Sequence, residues 1–222
     1  MISDYLRSYN SLDDIPSLRN NVFENANNGD QYWHLTSHQY EPYSWTNRLF
    51  VVDEIDNIVK IGTTLNLERA QTGGSGVDCL DHRRSFVSWI PMNSTTSWIY
   101  ERLTTAVNDM NEQFFQFDLT KLEKLQFTYY SSEEQGCYKQ HVDPLCWTTP
   151  HNRKLSVVVQ LSDPSEYEGG ELILYNGQDG NRIKKERGMS VFFPSYTLHE
   201  CTPVTKGERY ALVAWVHGPP FK

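Results

Sequence analysis

The sequence predicts a mainly β fold with flanking helices and a jelly-roll core, on three observations. The C-terminal half is a series of short apolar runs rich in β-branched and aromatic residues, LSVVVQLS, ELILY, SVFFP and RYALVAWV. Turn signals separate them, namely EGG, Asn176-Gly177 and Asp179-Gly180. One amphipathic helix precedes them, with an apolar stripe that needs a sheet to lie against.

Taken in order, the first thirty residues combine a short helical candidate, IPSLRNNVF, with an Asn-rich stretch that favours turns, and they read as a peripheral flank. RLFVVDEIDNIVKIG places two β-branched runs around Asp56-Asn57, which is a hairpin pattern. TTLNLERAQTGGSGVDCLDHRR then runs for more than twenty residues with a glycine cluster and no clear period, and loops of that length are usually functional or mobile. Residues 62 to 83 are therefore candidates for a substrate lid, with Arg83 or Arg84 near its hinge; a plain surface loop fits the composition equally well. After the strand SFVSWIP, the Ser/Thr run at 94 to 97 can cap a helix over residues 97 to 112. Ile99, Leu103, Ala106, Val107 and Met110 supply its apolar face. LEKLQFTYY opens the β half.

The chain has 222 residues, 38% hydrophobic and 13% aromatic, which fits one folded domain over 1–222. A net charge of -8 and a pI near 5.3 give a field that repels a phosphate backbone, so no nucleic-acid partner is expected. The opening MISDYLRSYNSLDD does not resemble a signal peptide, and no span approaches the roughly 20 apolar residues of a membrane helix. No membrane association and a cytoplasmic location are expected. The four cysteines form no CxxC pair and are too sparse for a disulfide framework.

Chemistry enters with HVDPLCWTTPHNRKL at 141 to 155. In an extended segment, His141 and Asp143 share a face two positions apart, so imidazole and carboxylate can meet one ion. An HxD pair alone is weak, and by itself it reads as a surface pair. FFPSYTLHECTPV offers a third ligand in His199, which follows a strand and a Pro-Ser turn. Two histidines and one carboxylate on one face of an iron leave the opposite face open, as in non-haem Fe(II) oxygenases. Ten residues on, Arg209 begins a strand whose alternate positions Ala211, Val213 and Trp215 are small or apolar. A guanidinium pointing inward with them needs an anion, and its planar fork suits the far end of a dicarboxylic cosubstrate. The plainer alternative pairs Arg209 with Glu208 or another acid at the rim.

These segments, with RRSFVSWIP, LQFTYY, RKLSVVVQLSDPSEYEGGELILY and GPPFK, resemble the prolyl 4-hydroxylase-like (PKHD-type) branch of the 2-oxoglutarate and Fe(II)-dependent dioxygenases over about residues 83 to 220. The wording is most similar to bacterial and phage members. The resemblance implies a double-stranded β-helix, with His141, Asp143 and His199 as the catalytic metal ligands and Arg209 binding the distal carboxylate of 2-oxoglutarate. It also implies that Tyr130 contacts the cosubstrate and that Leu172 and Trp215 wall its pocket. Fe(II), 2-oxoglutarate and dioxygen are the implied cofactors, with ascorbate a further candidate. The implied activity is hydroxylation of an aliphatic C–H bond, with a prolyl residue in a protein or peptide as the leading substrate. A free amino acid or other small molecule is the competitor, and a metal-binding barrel without hydroxylase activity is the non-enzymatic alternative. One departure stands out: a tyrosine that some animal relatives carry on the strand after HxD is Val159 or Gln160 here.

Other features carry less. His151 and Trp147 read as loop or packing residues, and Cys201 as a small core residue. The TGGSG loop lacks the Lys-Ser/Thr ending of a phosphate cradle, and RIKKERG reads as a solvated hairpin. A zinc hydrolase would leave Arg209 without a role and HExxH is absent, while a cupin-type site would more often show HxH with a glutamate. A nucleic-acid demethylase of the same superfamily would carry a second arginine six positions after the first, where this chain has Trp215.

Overall fold

The computed structural model describes residues 42–71, 80–143, 152–177 and 179–220. Its first part comprises β1 (Ser44–Thr46), α1 (Val52–Thr64), β2 (Glu68–Arg69), β3 (Arg83–Arg84), β4 (Phe86–Ile90) and α2 (Ser97–Met110), the last continued by one π-helical turn (Asn111–Phe115). There follow β5 (Lys121–Leu122), β6 (Leu125–Ser131), a short 3-10 turn (Ser132–Glu134), β7 (Cys137–His141), β8 (Asn152–Gln160), β9 (Tyr167–Gly169) and β10 (Leu172–Tyr175). The chain finishes with β11 (Asn181–Arg182), β12 (Ser190–Pro194), β13 (Leu198–Cys201) and the long β14 (Val204–Gly218).

The strands form two antiparallel sheets. The larger has the order β1-β12-β8-β14-β6-β4-β2, with β5 and β9 also pairing with β14; the smaller has the order β11-β10-β13-β7-β3. Alternation along the strands assigns each residue a layer. Val157 and Val159 of β8, Phe192 of β12 and Leu212, Ala214 and Val216 of β14 join the core that the two helices cover. Val158, Val191, Phe193 and Ala211 point the other way and pack with Leu172 and Leu174 of the smaller sheet. The mainly β jelly-roll expectation holds, and the β half follows the apolar runs. The glycines of EGG adopt positive φ, +72° at Gly169 and +59° at Gly170, which an L side chain rarely takes.

Helix α2 lies where its periodicity places it, burying Ile99, Leu103, Ala106, Val107 and Met110. The hairpin expected around Asp56-Asn57 is not there: Val52–Thr64 is a helix. The two β-branched runs also satisfy a helical period, and tertiary contacts select it, with Ile55, Ile58 and Gly62 buried on one face. The Glu54 carboxylate accepts the Val51 N–H at 3.0 Å and pairs with Arg102 of α2, fixing the first turn. Gly62 seats the helix on β6, since a Cβ there would lie 2.2 Å from the Phe127 ring.

The long loop expected over residues 62 to 83 is also shorter than its composition implied. Glu68–Arg69 pairs with β4, and Arg83–Arg84 pairs with β7. The glycine cluster at 73 to 76 lies outside the described residues, as do IPSLRNNVF, Trp147 and His151. Among the described residues, no helix is long and apolar enough to cross a membrane.

Candidate active site

The smaller sheet supplies two candidate metal donors, and the turn after β7 supplies the third. His141, the last residue of β7, is the cross-strand partner of His199 on β13, and their ring centroids are 4.1 Å apart. Two residues after His141 the chain turns Asp143 inward, 4% exposed, while Val142 between them is 45% exposed. The expected shared face of His141 and Asp143 is therefore present. A backbone bond from Asp143 N–H to the Ser195 carbonyl, 3.0 Å, fixes that turn. Each of the three residues offers one ligand atom, all within 4.8 Å of one another, and His199 Nε2 is 3.9 Å from Asp143 Oδ2. Among the described residues, this is the one such group.

Hydrogen bonds prepare each donor. His141 Nδ1 lies 2.8 Å from the Lys139 carbonyl and His199 Nδ1 2.9 Å from the Thr197 carbonyl. A carbonyl can only accept, so both Nδ1 atoms carry the proton and both Nε2 lone pairs are free for a metal, the tautomer that metal-bound histidines take. Burial, reinforced by the neighbouring His199, pushes the His141 pKa down to about 3, which keeps its ring neutral. Ser156 Oγ donates to Asp143 Oδ2 and also meets Ser195 Oγ at 2.9 Å, so the carboxylate is held from behind. Two neutral imidazoles and an anchored carboxylate fit a divalent cation that takes nitrogen and oxygen ligands.

The larger sheet supplies a candidate anion site. Arg209 on β14 is 2% exposed, and among the described residues no carboxylate pairs with it. Its Nη2 donates to Gln160 Oε1 at 2.8 Å, and its guanidinium sits 5.3 Å from the Tyr130 ring centre. The rim alternative is excluded for Glu208, which accepts hydrogen bonds from the hydroxyls of Tyr129 and Tyr210 instead. Among the described residues, Arg209 Nε, Gln160 Nε2 and Tyr167 Oη are buried with no hydrogen-bond partner. Buried polar atoms are nearly always satisfied, so this cluster of donors is shaped for an acceptor. Gly170 makes room for it, because a Cβ there would come within 2.8 Å of Arg209 Cδ.

All seven residues singled out from the sequence, His141, Asp143, His199, Arg209, Tyr130, Leu172 and Trp215, line one cleft between the two sheets. Cys201 lines it as well, its thiol pKa raised by burial. On the strand where some animal relatives carry a tyrosine, this chain presents an amide: Gln160 faces Arg209, while Val159 points into the opposite core. Sequence reasoning missed Ser156, Tyr167 and Tyr138. Ser156 alone left a signal, as a serine at an inward position of an apolar strand.

Residues 125–217 match the family model of the 2OG-Fe(II) oxygenase superfamily, a span that contains all seven of these residues. The match covers β6 to β14, the strands that carry the cleft. The chain is similar to a PKHD-type hydroxylase of Alteromonas mediterranea, 37% identical over 95 residues that make up 40% of this chain and 41% of that one. It is also similar to the PKHD-type hydroxylase YbiX of Escherichia coli, 33% identical over 156 residues, 67% of this chain and 65% of YbiX. The chain thus spans less than two thirds of the length of these relatives. A prolyl-4-hydroxylase of Pseudomonas putida superposes with a TM-score of 0.63 at 19% identity, covering 81% of this chain and 94% of that one. A prolyl hydroxylase from Trichoplax adhaerens, solved with a hypoxia-inducible-factor peptide fragment, gives 0.64 at 18% identity, with 80% and 84% covered. At these identities the likeness is one of fold, and it agrees with the two-sheet architecture.

Proposed function

We propose that the protein is a 2-oxoglutarate- and Fe(II)-dependent dioxygenase that hydroxylates an aliphatic C–H bond of a prolyl residue in a protein or peptide. The observation that carries the reading is the pairing, in one cleft, of a three-donor candidate metal group with a buried arginine that, among the described residues, no carboxylate pairs with. His141, Asp143 and His199 would hold Fe(II), and Arg209 would grip the distal carboxylate of 2-oxoglutarate. Bound iron, with 2-oxoglutarate and dioxygen, supplies the oxidising chemistry.

The chain's own residues bind and orient. The Lys139 and Thr197 carbonyls fix the two imidazoles as Nε2 donors, and Ser156 holds the carboxylate in register with them. Gln160 keeps the Arg209 fork in place, while Tyr130, Leu172 and Trp215 wall the cosubstrate away from bulk water. The prolyl preference is supported by the prolyl hydroxylases that share the fold. A cytoplasmic setting is supported by Cys137 and Cys201, both free thiols in the described residues.

Succinate release tests the reading. Purified protein with Fe(II), 2-oxoglutarate and prolyl peptides should form succinate and hydroxyproline in step. Iron and 2-oxoglutarate added anaerobically should develop a weak visible charge-transfer band. Protein that gives neither the band nor succinate would be a binding module, not an oxygenase.

A further inference from the structure

Arg83 is a second guanidinium in the same cleft, and it lies outside the span matched by the family model. It is 8% exposed, yet among the described residues no carboxylate pairs with it. Its Nε donates to Ser85 Oγ at 2.9 Å and its Nη2 to Gln126 Oε1 at 3.1 Å, both neutral acceptors. Its flat face lies 4.5 Å from the Tyr138 ring centre, and Tyr138 in turn stacks on His141 at 3.4 Å. One aromatic ring therefore separates this cation from a candidate metal ligand.

A guanidinium has five N–H donors, of which these two bonds use two. Burying a charge without a counter-ion costs several kcal/mol, so the arrangement is built for an anion that arrives. Arg209 already serves the cosubstrate and sits on the opposite sheet, stacked near Tyr130. Arg83 is also reachable from outside: with Gln126 it lines a neighbouring groove walled by Arg69, Val87 and Trp89. Arg69 cannot be the reader of that groove, because Glu134 occupies it with two hydrogen bonds.

We propose that Arg83 reads a carboxylate on the primary substrate, so that the molecule hydroxylated is anionic next to its reacting carbon. The proposal rests on the oxygenase reading above and adds the substrate's charge to it. The carboxylate comes either from an Asp or Glu side chain beside the target residue of a peptide or from the free α-carboxylate of an amino acid.

The test compares matched probes on the wild-type protein with Fe(II), 2-oxoglutarate and oxygen. One arm uses ten-residue prolyl peptides bearing Glu or Gln at each flanking position, and the other uses proline against prolinamide. The expected result is faster succinate release above the substrate-free rate for the acidic member of one arm, and the arm that responds identifies the source. Arg83→Gln should remove that preference mainly through KM, by about 30-fold for the acidic probe. Arg83→Lys, which keeps the charge without the fork, should restore part of it. Equal turnover of acidic and neutral probes by the wild type overturns the proposal without needing any variant to fold, as does a preference that survives Arg83→Gln. No stimulation by any acidic probe also overturns it, while substrate-free succinate formation would leave the oxygenase reading standing. Loss of that formation as well would overturn both.

Discussion

His141 and His199 are direct partners across the β7–β13 ladder, and each has its Nδ1 fixed by the carbonyl two residues before it. The two imidazoles are thus held by strand register and local backbone, not by the loops around the cleft. That places their worth in function more than in stability. His141→Ala or Asp143→Ala should abolish succinate formation while leaving the far-ultraviolet circular dichroism unchanged. Removing a residue that merely supports a ligand costs 10–100-fold in affinity, so losing a ligand should lower iron affinity by at least about 100-fold. Titration calorimetry with Fe(II) under anaerobic conditions checks this.

Arg209→Ala should act on the cosubstrate. Truncating one member of a buried charge pair costs about 2–5 kcal/mol, which is roughly 30-fold or more in the 2-oxoglutarate concentration required. Steady-state kinetics against 2-oxoglutarate provide the measurement, and an unchanged requirement would contradict the role assigned to this residue.

A pH dependence follows from Glu123, which bridges Arg153 and His217. Burial alone would raise its pKa, but the hydrogen bond and charge of Arg153, joined by those of His217, outweigh burial and hold it below 4.5. A depressed carboxylate pKa adds stability that is complete above the unfolded value and is lost as pH falls through the folded one. Urea denaturation of the wild type should therefore show stability declining on acidification below about pH 4.5. Glu123→Gln should flatten that part of the curve.

Gly62→Ala sets two effects against each other. Alanine favours a helix over glycine by roughly 1 kcal/mol, whereas overpacking a core costs about 1–3 kcal/mol. A Cβ 2.2 Å from the Phe127 ring places this site at the upper end, so the variant should be destabilised by about 1–2 kcal/mol. The shift of the urea midpoint reads it.

That glycine also marks where sequence reasoning stopped. Val51-Val52 and Ile58-Val59 flanking Asp56-Asn57 satisfy a hairpin and a helix alike, and what decides is Phe127, 65 positions away. The β half was legible because its strands are buried on both sides and its turns use glycine. The cleft was legible at His141, Asp143, His199 and Arg209, whose chemistry is costly anywhere but in a site. Gln160 and Tyr167 were not, since a buried amide or phenol acquires meaning only through its cross-strand neighbours. Arg83 read as a lid hinge, because nothing in RRSFVSWIP reveals that it pairs with Gln126.

The two candidate imidazole donors belong to one sheet and Arg209 to the other, so a dicarboxylic acid held at both ends would add a rivet between the two layers. Its departure after each turnover would withdraw that rivet, leaving the sandwich freest to part when the old molecule has gone and the next has yet to enter. On the proposed function, cosubstrate supply would then govern how long the protein survives heat as well as how fast it works.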